Sequence, residues 1–283
     1  MPKYTPAQLA KFATRALLYE VSVNPKPGLV DPVSSGPHPD MTVFTFIDSS
    51  LSLQPYLQFC AETGDNWAGT LPNLFQKLRP EGMEAEKAMF EATNGVNTHK
   101  GAIFSLGILV AATAYQQNAT AAFSSVQLVI KRMLAGLTEQ DFARTAEKPK
   151  AALTAGEKLY LGYGLTGVRG EAEAGYPSVF AHGLPTLRQA EGSLNERLLD
   201  SLLAITAHFT DTNLIHRAGT VTAMAAAQTQ AQAILDAGGV HTKRGKELLD
   251  RMNTDFLARN LSLGGSADML ILTIFMALVA GVI

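Results

Sequence analysis

Residues 264–283 read Gly264-Gly265-Ser266-Ala267-Asp268 and then MLILTIFMALVAGVI (Met269–Ile283), an uninterrupted apolar run. A helix rising about 1.5 Å per residue over that run falls short of the roughly 30 Å hydrocarbon core of a bilayer. With an acid and a Gly-Gly-Ser turn at its start, the run predicts a buried helix, not a membrane span. The rest of the chain supplies helices to bury it. Leu9, Phe12, Ala13, Ala16 and Leu17 recur at three and four, an apolar stripe on one helical face. Thr5 with Gln8 forms a capping box and Pro6 takes the first helical position; Thr154 with Glu157 and Ser193 with Glu196 repeat the signature.

Helical periodicity continues over 41–63, 83–94, 100–117, 120–135, 139–147, 155–162, 194–208, 219–237, 243–259 and 267–282, while strand patterns are scarce. Segments 24–40, 164–177 and 260–266 are rich in Gly, Pro, Asn and Asp and predict loops. No repeat, long linker or block of like charge divides the chain. The expectation is an all-α fold, a single compact multi-helix domain over residues 1–283.

The 283 residues carry 23 basic and 25 acidic side chains, and 47% are hydrophobic. That balance excludes a disordered tail and a general nucleic-acid binder. Scaling of surface with mass gives roughly 12,000 Å² folded, about 73% of the unfolded surface being buried. Cys60 is the only cysteine, so no internal disulfide forms, and Met1 to Phe12 lacks the apolar stretch of a secretory signal. A cytoplasmic protein is expected.

Polar residues gather in five places. Asn24-Pro25-Lys26-Pro27-Gly28 runs on to Asp31, His38, Pro39 and Asp40; two prolines and a glycine stiffen the backbone that presents those side chains, or form an ordinary connector. Asn97-Thr98-His99-Lys100-Gly101 precedes an apolar helix, where Asn97 or Thr98 can cap and Lys100 adds charge to an anion seat; a plain N-cap with an exposed lysine is the bland alternative. Gly167 to Gly175 offers Arg169 as a fork for phosphate and Glu171 and Glu173 as Mg²⁺ ligands, or is a solvated loop. Asp211-Thr212-Asn213 leads to His216 and Arg217, and a helix there pairs Asn213 with Arg217 one i,i+4 step apart. Gly264, Gly265, Ser266 and Asp268 open the last helix at a terminus able to seat phosphate oxygens, directly or through Mg²⁺. Three such helix starts with little net charge point to localised polyphosphate recognition in a nucleotide pocket.

The other singular residues read as structural. His182, His208 and His241 have no partner at metal-ligand spacing; Trp67, Phe44 and Phe46 are expected to pack; Cys60 sits among apolar neighbours with no thiolate or acyl-enzyme context.

Taken in order, EVSVNPKPGLVD (Glu20–Asp31), GPHPDM, GVNTHKGAIFSLG, GVRGEAEAGYP, DTN and NLSLGGSADML resemble the triphosphoribosyl-dephospho-CoA synthases that serve citrate lyase and malonate decarboxylase maturation, over nearly the whole chain. This sequence carries Pro32, Pro37 and Leu263 where the family pattern leads one to expect other residues. The resemblance implies a helical enzyme that joins ATP to 3'-dephospho-CoA, releases adenine and hands the product to an enzyme that modifies a carrier protein. Breaking the bond from adenine to ribose C1' develops positive charge, which a carboxylate stabilises while an acid assists adenine. On that reading Asp31 or Asp40 is base or cation stabiliser and His38 or His99 handles protons. Lys26, Lys100, Arg169 and Arg217 cradle the triphosphate with Asn97, Thr98, Gly101, Asn213, Gly264, Gly265 and Ser266. Mg²⁺ sits on Glu171, Glu173, Asp211 or Asp268. The rival readings are a Mg²⁺-dependent N-glycosidic hydrolase of the ADP-ribose type and a non-catalytic nucleotide-binding helical protein. An apolar patch on the final helices is compatible with a homo-oligomer.

Overall fold

The computed structural model describes residues 3–118 and 125–283, and every regular element among them is helical. The chain runs α1 (Pro6–Ser22), α2 (Val43–Ser52), α3 (Gln54–Asp65), α4 (Leu71–Ala92), α5 (Lys100–Asn118), α6 (Val126–Met133), α7 (Leu137–Phe142), α8 (Ala155–Tyr163), α9 (Gly167–Glu173), α10 (Leu184–Gln189), α11 (Leu194–His208), α12 (Thr212–Ala218), α13 (Thr222–Asp236), α14 (Lys243–Ala258) and α15 (Gly264–Val279). A π-helical stretch (Ser178–Gly183) leads into α10. No helix among the described residues is long and apolar enough to cross a membrane.

Two helices form the centre. In α15, thirteen of sixteen residues are buried, Met269 through Val279 without a gap. In α5, Ala102, Ile103 and the run Ser105–Ala114 are buried. A helix apolar on every side needs neighbours on every side. Accordingly α1, the π-helical stretch and α11 pack on α15, and α3, α4 and α6 pack on α5. One contiguous apolar core runs from Leu9 in α1 to Val279 in α15.

The three predicted capping boxes form, each with both reciprocal hydrogen bonds, and Thr42 with Thr45 adds a fourth of the same geometry. Elsewhere tertiary packing overrides local signals. The stretch read as one helix over 41–63 breaks at Leu53, because Pro55 has no N–H to give the Leu51 carbonyl. Helix α4 instead runs through Pro80 and begins at Leu71, twelve residues before the predicted start at 83. Its buried stripe, Leu71, Leu74, Phe75, Leu78, Ala85 and Met89, outweighs the proline. The expected loop 164–177 contains α9, and the helix read over 139–147 ends at Phe142. Residues 119–124, the start of the stretch read as helical from 120, lie outside the described residues. Phe44, expected to pack, is 72% exposed.

Gly64 marks the closest approach of α3 to α5: a Cβ there would sit 2.2 Å from the Ala111 carbonyl oxygen. Gly64→Ala is therefore expected to cost about 1–3 kcal/mol of stability in urea titrations, the usual range for overpacking. Gly156→Ala, whose Cβ meets nothing within 4 Å, is expected to be neutral or stabilising.

Candidate active site

The loop leaving α1 is pinned at both ends. Asn24 donates to Asn195 Oδ1 at 2.9 Å and accepts from Asn195 Nδ2 at 2.6 Å. Gly28 has φ +65°, and a Cβ on it would lie 2.2 Å from the Leu261 carbonyl oxygen, so only glycine lets this loop lie against residues 260–263. Asp31 then ties the loop to itself: its carboxylate accepts from the N–H groups of Val33 and Ser34 at 2.8 Å and of Lys26 at 3.3 Å. That closure carries His38 to Ser262 Oγ (3.1 Å) on one ring nitrogen and to the Arg217 guanidinium (3.0 Å) on the other. Arg217 also donates to the Pro37 and Asn260 carbonyls, at 3.3 and 3.4 Å.

Four of the five polar clusters thus meet, the second being brought in from across the fold by the start of α5. Between them lies a basin of about 100 Å³ lined by Glu20, Lys26, His38, Asn97, Thr98, His99, Asn213, Ser262, Gly264 and Asp268, with Leu29, Val30, Met41, Phe46, Ala267 and Ile271 as its apolar wall.

The carboxyl groups here divide by what they touch. Asp211 is saturated: it accepts from Asn213 and Leu214 N–H, capping α12, and from Gly265 N–H, Ser266 N–H and Ser266 Oγ, joining α12 to the start of α15. Glu20, on the buried face of α1, is paired with the Lys26 ammonium, which also donates to the Glu20 carbonyl at 2.7 Å. Asp268 has no hydrogen-bond donor. Its Oδ2 faces Gly101, where a Cβ would come within 2.0 Å. Burial first, then the negative charges of Asp211 and Glu20, push its carboxyl well above the usual carboxylate range. It therefore holds a proton more readily than an ordinary aspartic acid.

His99 is held the opposite way. Burial, reinforced by the Lys26 ammonium, pushes its imidazole down to about 3. Its Nδ1 lies 2.6 Å from Ser49 Oγ, and Phe46 meets its ring edge-to-face at 5.0 Å. Ser49 Oγ accepts from Thr98 Oγ1 at 2.7 Å, so its own proton is free for Nδ1; with Nδ1 accepting, the ring proton is on Nε2. Nε2 is buried without a partner. The result is a neutral imidazole with an unused donor in the wall of the basin.

Not every predicted residue comes here. Lys100 pairs with Glu86 at 2.8 Å and Arg169 with Asp141 at 2.7 Å, and both line a second groove beside Arg79. The single cradle of Lys26, Lys100, Arg169 and Arg217 does not form. Successive helical residues point about 100° apart, so His99 and Lys100 face different cavities, and Lys26 is spent on Glu20. The metal set does not fit either. Glu171 accepts from Ser178 N–H and Oγ; Glu173 accepts from Gly136 N–H and from Thr138 N–H and Oγ1; Asp211 is saturated. No group of three or more His, Cys, Asp or Glu among the described residues is placed to hold a metal ion. Asp40 is exposed at the rim, and Asp31 is absorbed in its loop.

Sequence reasoning passed over Glu20, Ser49, Ser262 and Asp141. Glu20 had a readable signal, an acid on the same helical stripe as Ala13, Ala16 and Leu17. Ser49, Ser262 and Asp141 acquire their places only through tertiary contacts.

The family model described as ATP:dephospho-CoA triphosphoribosyl transferase matches residues 6–282. A relative from Lactiplantibacillus plantarum, named probable 2-(5''-triphosphoribosyl)-3'-dephosphocoenzyme-A synthase, is 52% identical over 273 residues, 95% of this chain and 96% of its own. Relatives of the same name from Citrobacter koseri and Streptococcus equi subsp. equi are 43% and 40% identical, over 96% and 95% of this chain and 91% and 95% of theirs. No solved structure matches the chain.

The neutral state of His99 has a measurable consequence. Between its ordinary value of 6.5 and about 3, only the unfolded chain takes up this proton, so folding loses stability as pH falls through that window and is unaffected above it. Compared with His99→Asn, the wild type is expected to lose up to about 1.4 kcal/mol per pH unit below about pH 6.5. Urea titrations of both proteins at pH 7.5, 6 and 5 read this difference.

Proposed function

We propose how this chain, which belongs to the ATP:dephospho-CoA triphosphoribosyl transferase family, carries out that transfer: the basin holds the ribose of ATP, with Asp268 as the group that moves the proton. The chemistry sets the requirements. The bond from adenine to ribose C1' breaks and adenine gains a proton. A bond forms from the 2'-oxygen of dephospho-CoA to C1', and that hydroxyl loses a proton. The triphosphate stays intact. One proton is needed at the departing adenine and one is released by the attacking hydroxyl.

A single carboxyl with a raised proton affinity satisfies both halves. Asp268 in its protonated form gives its proton to the departing adenine; the carboxylate it leaves offsets the positive charge at C1' and then accepts the hydroxyl proton. The observation that carries this reading is the placement of Asp268, donor-free, against Gly101, beside two buried acids. Asp31 and Asp40 are assigned other work. Asp31 shapes the loop, and Asp40 stands at the rim with Arg217 and His38.

His99 donates from Nε2 to a nucleotide atom in the basin and does not accept a proton there. His38, Arg217 and the unpaired side-chain amide of Asn213 take the triphosphate at the mouth, with Asn97, Thr98 and Gly264. Gly265 and Ser266 act through Asp211, and Lys26 through Glu20. Mg²⁺ in this reading arrives with the triphosphate and stays on its oxygens at the mouth, since a Mg²⁺ ion keeps several waters and is commonly held through substrate phosphates; Asp268, which carries the proton, is not its ligand. The conjugate then passes to an enzyme that modifies a carrier protein.

Incubation with ATP and dephospho-CoA, followed by mass spectrometry, is expected to give the conjugate and adenine; ribose triphosphate in its place would identify a hydrolase, and binding without adenine release a non-catalytic protein. Asp268→Asn is expected to slow adenine release by at least about 100-fold, about 2.7 kcal/mol of barrier. Asp40→Asn, away from C1', is expected to slow it by less than about tenfold.

A further inference from the structure

The transferase joins two nucleotides, and a basin of about 100 Å³ has no room for both. The second groove, about 340 Å³, lies on the other side of the first turn of α5: His99 lines the basin and Lys100, the next residue, lines the groove. The two cavities therefore meet at the start of one helix, next to Gly101 and Asp268.

The groove has a two-part chemistry. Its floor is apolar and aromatic, with Phe75 and Phe104 meeting edge-to-face at 6.2 Å and Met83 standing 64% exposed beside them. Its rim carries Arg79, Lys100 and Arg169 against only Asp141 and Glu86. Asp141 is shared: one oxygen accepts from Arg79 at 3.1 Å and the other from Arg169 Nε at 2.7 Å. The remaining nitrogens of the Arg169 guanidinium are free to face an anion. All three cations are roughly half exposed, and exposed ion pairs are weak enough to exchange for a phosphate.

We propose that this groove binds the pantetheine-diphosphate arm of dephospho-CoA, the diphosphate on Arg79, Lys100 and Arg169 and the arm along Phe75, Phe104 and Met83. The adenosine end then crosses the start of α5 and brings its 2'-hydroxyl to the basin. ATP lacks any group that would use an apolar floor, whereas the pantetheine arm is long, uncharged and partly apolar. The assignment rests on the transferase reading above and adds to it which substrate lies on which side of α5.

The test uses two acceptors, dephospho-CoA and ADP, which share the ribose 2'-hydroxyl and the diphosphate but differ in the arm. For the wild type, calorimetric binding is expected to favour dephospho-CoA over ADP. Met83→Asp is expected to remove most of that preference while ADP binding stays unchanged. Arg169→Ala is expected to weaken both acceptors by about tenfold or more, in line with the loss of a charge-assisted hydrogen bond, and to leave the KM for ATP within about twofold. A raised KM for ATP with acceptor binding intact would overturn the proposal and place the triphosphate in the groove; so would Met83→Asp retaining the full preference. Because these are binding measurements, a wild type that bound dephospho-CoA with this pattern yet released no adenine would refute the transferase reading and leave the groove assignment standing.

Discussion

The packing of the Asp268 carboxyl against the bare backbone of Gly101 fixes the rest of the site. It joins the two central helices at their starts, and it works only because position 101 carries no side chain. Everything nearby adjusts to an acid enclosed without a donor. Asp211 draws the N–H groups of α15's first turn to itself, so they cannot stabilise a charge on Asp268. Glu20 adds negative potential from α1. Both effects favour the protonated acid, and a site that must hand a proton to a leaving base needs such a group in place before the substrate arrives.

The neighbouring imidazole is tuned in the opposite sense by the same enclosure. The burial that raises the proton affinity of Asp268 also keeps His99 neutral, because in each case the uncharged form is favoured. The Ser49 hydroxyl then selects which nitrogen of His99 carries its proton. An acid with a raised proton affinity and a neutral imidazole thus line one wall.

How much of this was legible beforehand follows from where each signal resides. Capping boxes and apolar stripes are local, so the helical class and the starts of α1, α8 and α11 could be read directly. The run from Met269 had to be buried because it was apolar on all sides, and Met269–Val279 are. Four of the polar clusters share the basin, through His38, Asn97, Asn213 and Gly264. What could not be read was the division of labour among the charges. Lys100 and His99 are adjacent in sequence and separated by a helical turn of direction; Asp31, Asp211, Glu171 and Glu173 look like available acids until the N–H groups they cap are known. Caps across a helix boundary are partly local, but the bonds from Asp211 to Ser266 span 55 residues.

That division has a physical reason beyond accommodation of two substrates. A transition state with positive charge at C1' is raised by every uncompensated cation near it: at an effective dielectric of 20, a unit charge 4 Å away contributes about 4 kcal/mol, or nearly a thousandfold in rate. A polyphosphate needs cations, and a developing sugar cation needs their absence. The fold separates these demands. Lys26, the cation that reaches the basin interior, is neutralised by Glu20; Arg217 stays at the mouth beside His38; Lys100, Arg79 and Arg169 stand beyond the first turn of α5. The interior keeps the Asp268 carboxyl, and the cations other than Lys26 stand at the mouth and in the groove, where the proposed reading puts the phosphates and not C1'.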